Sequence, residues 1–325
     1  MKNMTVVIGG GAWGTALACV SARAGRRTAL LCRDPEVARS LTEEGMNHRY
    51  LPGLHLADRI EAGTDPAIAA QADLIILAIP AQRLRGALPS LAPHFPPHAV
   101  LVNTAKGIEV ETGQPLSRTI AEICPDHPQA VLSGPSFASD VAAGKPTAVT
   151  LAAGDESAAL DLCHALSSDT FRSYASADIT GVETGGALKN VYAIAAGIVI
   201  GMGYGESAKA ALITRAFVEL RRLGAAMGGA PETFMGLSGF GDLMLSCGAA
   251  QSRNFSYGMA LGQGENLENR PLAEGVATVQ IAGRIADEHG IDAPILHMTR
   301  RLLGGEVTPH FAMQSLLTRP LKEEV

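Results

Sequence analysis

The first half of the chain alternates short apolar runs with stretches whose apolar positions recur every three to four residues. The runs predict strands at residues 5–8, 28–32, 74–79, 99–104, 131–132 and 147–151. Helices are predicted between the first of these strands, at residues 13–24 and 35–44. Because strands alternate with helices, the pattern predicts a parallel, doubly wound sheet that is covered by helices on both faces.

The pattern changes near residue 180. Beyond this point strand-like runs disappear, and Ala, Leu, Met, Arg and Glu dominate. Helices are predicted at residues 188–199, 207–227, 231–235, 254–261, 273–289 and 293–303. We therefore predict an α/β domain at residues 1–180 and an all-α domain at residues 181–325, with no Pro- or Ser-rich linker between them.

Composition narrows the class of protein and of partner. The 325-residue chain is 47% apolar and 18% charged with a formal net charge of −6, an ordinary globular composition that argues against nucleic acid as a partner. Its five cysteines are widely spread and form no Cys-x-x-Cys pair, so neither a disulfide framework nor a metal site is predicted. We see no signal peptide, and the longest apolar stretch, residues 191–202, is shorter than the ~20 residues of a membrane helix. We expect a cytoplasmic protein without membrane insertion.

A glycine motif lies between the first predicted strand and helix. Gly9, Gly11 and Gly14, with Ala12 and Trp13 between the last two, match the Gly-x-Gly-x-x-Gly fingerprint of Rossmann-like domains. In that context the first glycine makes a tight turn, the second admits a pyrophosphate, and the third allows close packing of helix and strand. The motif predicts dinucleotide binding; the alternative is an ordinary glycine-rich turn.

The end of the second predicted strand bears on the choice of cofactor. An acidic residue at this point binds the ribose hydroxyls of NAD, whereas an arginine accepts the additional phosphate of NADP. Here Arg33 comes first, and Asp34 is followed by a proline. This order favours NADPH, although NADH stays possible and Arg33 could instead be a solvated charge.

Two lysines and one acid stand at the borders of apolar segments. Lys106 follows a predicted strand, at the edge where ligands bind, although it could be a solvated charge. Lys189 follows two glycines and opens a strongly apolar segment, so it either extends from a buried helix to solvent or lies in a closed site. Burial and a second cation would lower its pKa, which suits proton transfer to and from an alcohol. Asp242 lies in a small-residue turn and could pair with Lys189 or cap a helix.

Two further segments offer groups for an anion. Gly134 and Ser136 lie in a turn after a predicted strand. Ser252, Arg253 and Asn254 come just before a predicted helix, whose free amides could join them in holding a phosphate. The alternative is that Ser252 only caps the helix and Arg253 is exposed.

Taken together, these segments resemble the bacterial NAD(P)-dependent glycerol-3-phosphate dehydrogenase family. The match is carried in order by Gly-Gly-Gly-Ala-Trp-Gly (9–14), Asn-Thr-Ala-Lys-Gly (103–107), Ser-Gly-Pro-Ser-Phe-Ala (133–138), Gly-Gly-Ala-Leu-Lys-Asn (185–190), Gly-Phe-Gly-Asp-Leu (239–243), Gln-Ser-Arg-Asn (251–254) and Ala-Glu-Gly (273–275). The resemblance implies reversible hydride transfer between NAD(P)H and dihydroxyacetone phosphate, a supply role in glycerophospholipid synthesis, and a homodimer.

The resemblance also implies roles for individual residues. Lys189 would be the proton donor or acceptor, with Lys106 and Asp242 in the catalytic centre. Residues implied around the substrate are Lys106, Gly134, Ser136, Lys189, Asp242, Ser252, Arg253 and Asn254. Positions implied to contact the dinucleotide, beside the glycine motif, are Ala12, Trp13, Arg33, Tyr50, Lys106, Ala138, Arg253, Leu272 and Glu274.

Three positions depart from the family's pattern. Asp140 stands where Glu is usual, and Ser246-Cys247 replaces Thr-Cys, which keeps a hydroxyl. Phe255 stands where a basic residue is commoner, so the field around the phosphate could be weaker.

Two other functions fit parts of the pattern. One is a two-domain dehydrogenase of hydroxy acids or hydroxyacyl thioesters, which would be expected to use a histidine base that these motifs lack. The other is a non-catalytic nicotinamide-sensing regulator, which would need the glycine motif but not Lys189, Asp242 and Arg253 together.

Overall fold

The computed structural model describes residues 3–56, 60–268, 270–271 and 273–318. Within them, eight strands form one sheet in the order β3-β2-β1-β4-β5-β6-β7-β8. The strands are β1 (Met4–Ile8), β2 (Arg27–Leu31), β3 (Ile60–Gly63), β4 (Leu74–Leu77), β5 (Val100–Asn103), β6 (Gln129–Ser133), β7 (Thr147–Ala153) and β8 (Phe171–Ser176). The six predicted strands are present, and each of their ends lies within two residues of the predicted one, whereas β3 and β8 were not predicted.

The described helices cover both faces of the sheet and then build the rest of the chain. They are α1 (Ala12–Arg23), α2 (Pro35–Glu44), α3 (Leu84–Leu91), α4 (Leu116–Ile123), α5 (Ala138–Ala142), α6 (Glu156–Leu166), α7 (Ile179–Gly201), α8 (Glu206–Ala226), α9 (Asp242–Gly248), α10 (Arg253–Gln263), α11 (Glu274–Glu288), α12 (Pro294–Leu303) and α13 (Pro309–Leu317). Only a 3-10 turn, Thr233–Met235, occupies the helix predicted at 231–235.

The order in which successive strands join the sheet reverses between β1 and β4. β2 and β3 continue to one side of β1, while β4, β5 and β6 continue to the other, all in parallel register. The carboxyl ends of β1 and β4 therefore flank the crevice in which ligands of such sheets bind. This architecture confirms the predicted doubly wound sheet with an all-α second half.

One strand pair contradicts the prediction of a parallel sheet. β7 runs antiparallel to β6, in a register that places Val131 beside Ala152. The connection between these strands contains only the five-residue helix α5, so it does not carry the chain back along the sheet for a parallel crossover.

Alternate residues of the central strands enter two separate cores. Val7 and Ile76 belong to the apolar cluster on one face, whereas Val6 and Ile75 belong to the cluster on the other. This alternation follows from the two-residue period of a strand, and it explains why these runs are apolar on both faces. All five cysteines lie in the described part of the chain, where they are buried and form no disulfide.

α7 is the central helix of the second half, and it packs against α8, α9, α10 and α11. It begins at Ile179, nine residues before the predicted start, where Asp178 caps its first turn by accepting from the amide of Gly181 at 2.8 Å. By length and composition α7 could cross a membrane, but 89% of its apolar window is buried inside the protein. The last strand of the sheet ends at Ser176, and α7 begins at Ile179. The division between residues 180 and 181 lies close to this point and stays a prediction.

The backbones of α7 and α10 touch at a stripe of glycines. A side chain at Gly197 or Gly201 would overlap backbone atoms of α10, and one at Gly258 or Gly262 would overlap backbone atoms of α7. The two helices therefore cross at the closest approach that main chains allow, which fixes α10 on α7.

Candidate active site

The glycine turn, residues 9–14, joins β1 to α1 at the sheet's reversal point. Gly9 has a φ of +123°, and a side chain there would lie 2.5 Å from the Ala78 carbonyl oxygen at the end of β4. A side chain at Gly14 would overlap the Gly9 carbonyl oxygen, whereas one at Gly11 would meet no atom within 4 Å. Gly9 and Gly14 are thus needed for the turn itself, and Gly11 faces open space.

A buried asparagine holds this turn. Asn47 Nδ2 donates to the carbonyl oxygen of Gly10 at 3.0 Å and to Thr15 Oγ1 at 2.8 Å. Asn47 is fully buried although it follows an exposed stretch of chain. Sequence reasoning missed it, because a single asparagine in a polar loop carries no signal of its own.

The glycine turn suits the pyrophosphate of a dinucleotide. α1 begins after Gly11, and no side chain in the described part of the protein caps its first amides. Uncapped amides at a helix N-terminus attract anions, and the space beside Gly11 lets one approach. The indole Nε1 of Trp13 is also buried without a hydrogen-bond partner among the described residues. Ala12 and Trp13 form the first turn of α1.

The predicted adenosine end lies at the carboxyl end of β2. Asp34 Oδ1 accepts from the amide of Glu36 at 3.0 Å and so caps α2, while Oδ2 accepts from Arg49 Nη1 at 2.5 Å. The Arg49 guanidinium lies 5.4 Å from the centre of the Tyr50 ring. Arg33 is exposed and forms no ion pair with another described residue. The carboxylate is therefore engaged, and the arginine is free to meet a ligand.

Lys106 lies in a tight turn directly after β5. Its Nζ donates to the carbonyl oxygen of Gly134 at 3.0 Å and to Asp242 Oδ2 at 2.6 Å, and it lies 6.0 Å from the centre of the Trp13 ring. Ser136 Oγ donates to the same Gly134 oxygen at 3.0 Å. The predicted turn at residues 133–138 and the glycine turn thus converge on one ammonium group.

Lys189 is buried at the centre of α7, with 6% of its surface exposed. Its Nζ donates to Asp242 Oδ1 and, at 2.7 Å, to Ser246 Oγ. Asp242, at the start of α9, therefore accepts from both lysines, one on each oxygen. Sequence reasoning left open whether Asp242 pairs with Lys189 or caps a helix; the structure shows that it pairs.

The surroundings of Lys189 alter its titration. Burial lowers the pKa of Lys189 to about 8, with the Asp242 carboxylate opposing this shift and the Lys106 ammonium adding to it. A lysine in this range holds a proton at neutral pH and can release it in mildly basic solution, which suits general acid–base chemistry.

The predicted phosphate segment forms the start of α10. Ser252 caps the helix by accepting from the amide of Phe255 at 3.3 Å, and Arg253 is exposed at its first position. Asn254 faces inward: its Nδ2 donates to Asn190 Oδ1 at 2.9 Å, and its Oδ1 accepts from the Gly275 amide at 3.0 Å. Asn254 thus ties α10 to α7 and α11, a bond that sequence reasoning did not foresee.

Glu274 is a carboxyl group within electrostatic range of the cations of the site. Its Oε1 accepts from the amide of Ala81 at 3.3 Å, just beyond β4. Burial raises the pKa of this carboxyl, while the charges of Arg253, Lys106 and Lys189 lower it. The charges of three cations from different parts of the chain therefore act on this one carboxyl group.

The other predicted residues fall in two groups. Ala138 opens α5 beside the turn that contacts Lys106, while Arg33 and Tyr50 lie apart from the lysines, near Asp34 and Arg49. Leu272 lies outside the described residues.

The departures from the family pattern have structural explanations. Asp140 pairs with Lys145 at 2.7 Å on the surface. Ser246 keeps the hydroxyl, as expected, and receives a hydrogen bond from Lys189. Phe255 is buried in the helical core, and the nearby cation, Lys209, lies 6.0 Å from its ring centre.

Two family models match the chain in succession. The model described as NAD-dependent glycerol-3-phosphate dehydrogenase N-terminus covers residues 4–159, and the one described as its C-terminus covers residues 178–314. The chain belongs to this family. The resemblance read from the motifs is thereby confirmed.

Individual relatives agree over the full length. The chain is 54% identical to glycerol-3-phosphate dehydrogenase (NAD(P)+) of Brucella canis, with all of both chains covered. It is 55% identical to the protein of the same name from Mesorhizobium japonicum, over 98% of this chain and 93% of the relative. The crystal structure of glycerol-3-phosphate dehydrogenase from Coxiella burnetii superposes with a TM-score of 0.92 at 35% identity, covering 98% and 99% of the two chains.

Proposed function

We propose that this protein catalyses the reversible NAD(P)H-dependent reduction of dihydroxyacetone phosphate to sn-glycerol 3-phosphate. The observation that supports this proposal most is the contact of Lys189 and Lys106 with the two oxygens of Asp242, beside the glycine turn and the start of α10. Membership of the family supports dihydroxyacetone phosphate as the substrate. Lys189, Lys106 and Asp242 supply charged groups that suit the reduction of its carbonyl.

Lys189 is proposed as the proton donor in reduction and the proton acceptor in oxidation. The nicotinamide cofactor, when bound, supplies or accepts the hydride. Asp242 orients the Lys189 ammonium, and Ser246 fixes a second of its three protons, so one remains for the substrate oxygen on C2. Lys106 adds positive charge where negative charge develops on that oxygen.

The phosphate is proposed to bind at the start of α10. Arg253 offers a guanidinium fork and the helix offers amides, a combination that recognises phosphate well. Gly134 and Ser136 would line the substrate beside Lys106. A phosphate held there, away from the reacting carbon, would help to position the C2 carbonyl against Lys189.

The cofactor is proposed to be NADPH in preference to NADH. The exposed Arg33 and the engaged carboxylate of Asp34 support this, because the residue that would bind free ribose hydroxyls is occupied. Ala12, Trp13, Tyr50, Ala138 and Glu274 are proposed as further contacts. Side-by-side values of kcat/KM with the two cofactors test the preference, and a higher value with NADH would reject it.

Replacing Lys189 tests the proposal directly. We expect Lys189→Ala to lower kcat for dihydroxyacetone phosphate reduction by about 10²–10⁴-fold, because proton transfer is lost, while NADPH binding measured by fluorescence is kept. The matched control is Lys145→Ala, which removes a surface lysine that pairs with Asp140. If Lys189→Ala retains near-normal turnover, the role of Lys189 is rejected; if the unaltered protein does not oxidise NADPH with this substrate, the function is rejected.

The wider setting is proposed from the family. We propose a cytoplasmic homodimer that supplies glycerol 3-phosphate for glycerophospholipid synthesis. The dimer is tested by light scattering at micromolar concentration, where a monomeric mass would reject it. The supply role is tested by depleting the protein in cells, where undiminished glycerophospholipid synthesis would reject it.

A further inference from the structure

We propose that Glu183 is a positioning residue that holds the turn carrying Lys106 against α7. The inference rests on the proposed function, because it assumes that the placement of Lys106 matters for the reaction. The Lys106 turn is defined here as residues 103–106.

Glu183 is a buried carboxylate, 3% exposed, in the second turn of α7. Its Oε1 accepts from the Ser117 amide at 3.0 Å and from Asn103 Nδ2 at 3.2 Å, and its Oε2 accepts from Ser117 Oγ at 2.6 Å. Because the residue before α4, Pro115, offers no side-chain cap, Glu183 caps α4 from another element.

Asn103 connects Glu183 to the Lys106 turn through hydrogen bonds at both ends of its side-chain amide. It is fully buried at the end of β5, and its Oδ1 accepts from the amide of Ala105 at 3.1 Å. The hydrogen bond from Asn103 Nδ2 to Glu183 fixes which way the amide group faces. Glu183 therefore orients the side chain around which the turn folds.

The same face of α7 also holds the other end of the turn. Asn190 Nδ2 donates to the Lys106 carbonyl oxygen at 3.1 Å. Between them, a side chain at Gly186 would make ordinary contact with Lys106 Cγ at 3.6 Å and would lie 2.5 Å from Ser133 Oγ, so α7 passes close to both residues here. Residues 183, 186 and 190 are spaced by three and four, which places them on one helix face.

The adjacent face of α7 positions the partner of Lys106. Lys189 contacts Asp242, and a side chain at Gly185 would lie 2.9 Å from the Ser238 carbonyl oxygen. One helix therefore fixes both sides of the Lys106–Asp242 ion pair. If the Lys106 turn loosened, Lys106 would shift relative to Asp242 and Lys189, and a displacement of about 1 Å can cost about 100-fold in rate.

The alternative is that Glu183 contributes only to stability, and the chain contains a matched control for that case. Glu219 on α8 is also 3% exposed, and it caps α12 by accepting from the amides of Ile295 at 2.8 Å and Leu296 at 3.0 Å. Glu219 makes no hydrogen bond to the Lys106 turn in the described part of the chain. It thus shares burial and helix capping with Glu183 but not the proposed positioning.

The experiment compares Glu183→Ala, Glu219→Ala, Glu183→Gln and Asn103→Ala. Both glutamate-to-alanine variants should lower Tm, but only Glu183→Ala should lower kcat/KM for dihydroxyacetone phosphate, by about 10–100-fold. Glu183→Gln keeps an oxygen that can accept from Asn103 Nδ2, so this variant should retain most of the activity of the unaltered protein. Asn103→Ala leaves the cap on α4 in place and removes the two hydrogen bonds through which Glu183 reaches the Ala105 amide, so it should lose activity with a smaller loss of Tm.

A second readout does not depend on activity. Hydrogen–deuterium exchange in a peptide covering residues 103–108 should be faster in Glu183→Ala and Asn103→Ala than in the unaltered protein, and unchanged in Glu219→Ala. Inactivity of the unaltered protein would reject the proposed function, while this exchange would still test the role of Glu183. Unchanged exchange, or a kcat/KM within about threefold of the unaltered value in Asn103→Ala and Glu183→Ala, would overturn it. An equal loss of kcat/KM in Glu219→Ala would overturn it as well.

Discussion

At the scale of single residues, the site depends on opposing effects at one amine. Burial favours the neutral form of Lys189, and Asp242 favours the charged form. Lys106 shares the carboxylate, which weakens the hold of Asp242 on Lys189. The outcome is a lysine that can change its protonation state within the range in which enzymes work.

This balance predicts the pH dependence of the reaction. Because the pKa of Lys189 is lowered to about 8, its protonated form is lost as the pH rises through that value. We expect kcat/KM for dihydroxyacetone phosphate reduction to fall above about pH 8, and kcat/KM for glycerol 3-phosphate oxidation to rise over the same range. Initial rates from pH 6 to 10 measure both, with cofactor affinity determined at each pH as the control. Flat profiles in both directions would contradict the assignment.

The sequence predicted the residues whose chemistry is visible locally. Lys106, Lys189 and Asp242 stand at glycine turns or beside apolar segments, where a charge is unusual. Asn47 and Glu183 look like ordinary polar residues in their own segments, and they become significant only through contacts with residues 37 and 66 positions away. Such contacts have no local signature, so only the folded structure revealed them.

At the scale of elements, the glycines of the turn at residues 9–14 meet two different requirements, one for folding and one for ligand binding. Gly14 has no room for a side chain because the Gly9 carbonyl oxygen occupies that space, whereas Gly11 faces open space. The first requirement belongs to folding and the second to ligand binding.

The two glycines therefore predict different defects. Gly11→Ala should keep the Tm of the unaltered protein and weaken NADPH binding by about tenfold or more, because its methyl group occupies the space proposed for the pyrophosphate. Gly14→Ala should lower Tm as well, since β1 and α1 must separate. Thermal unfolding and fluorescence titration of both variants measure this contrast. Equal NADPH affinity in Gly11→Ala and the unaltered protein would refute the proposed site.

Errors in the predicted elements have physical causes. α7 was predicted to begin at residue 188, because Gly181, Gly185 and Gly186 weaken the helical signal. Packing overrides that weakness, since glycine is what lets α7 approach residues 133 and 238. β8 is an edge strand with partly exposed residues, and its Phe-Arg-Ser-Tyr-Ala-Ser sequence lacks β-branched side chains. The antiparallel β7 could not be read from its composition, which does not encode strand direction.

At the scale of the whole molecule, the proposed site is assembled from both halves of the chain. The sheet half contributes the glycine turn and Lys106, and the helical half contributes Lys189, Asp242 and Arg253. Cofactor and phosphate are thus proposed to bind to different halves, and the reacting carbon would lie between them.

This division predicts the behaviour of a truncated substrate. Dihydroxyacetone has the reacting carbonyl but no phosphate, so it cannot use Arg253 and the α10 amides to position C2. We expect it to lose kcat as well as affinity, because binding energy from a remote group supports the reacting geometry. Saturation kinetics with both substrates measure this, and Arg253→Ala should reduce the difference between them. A loss confined to KM would contradict the proposed use of the phosphate.

The glycine stripe between α7 and α10 has a consequence for the size of molecule that fits. Lys189 lies about two turns before Gly197, and Arg253 lies between one and two turns before Gly258. The distance between the backbones of α7 and α10 at these glycines therefore contributes to the separation between Lys189 and Arg253. A methyl group at any of these glycines would force the two helices apart and so increase that separation. Residues buried beneath the proposed site therefore help to determine the length of the substrate that fits between the two groups.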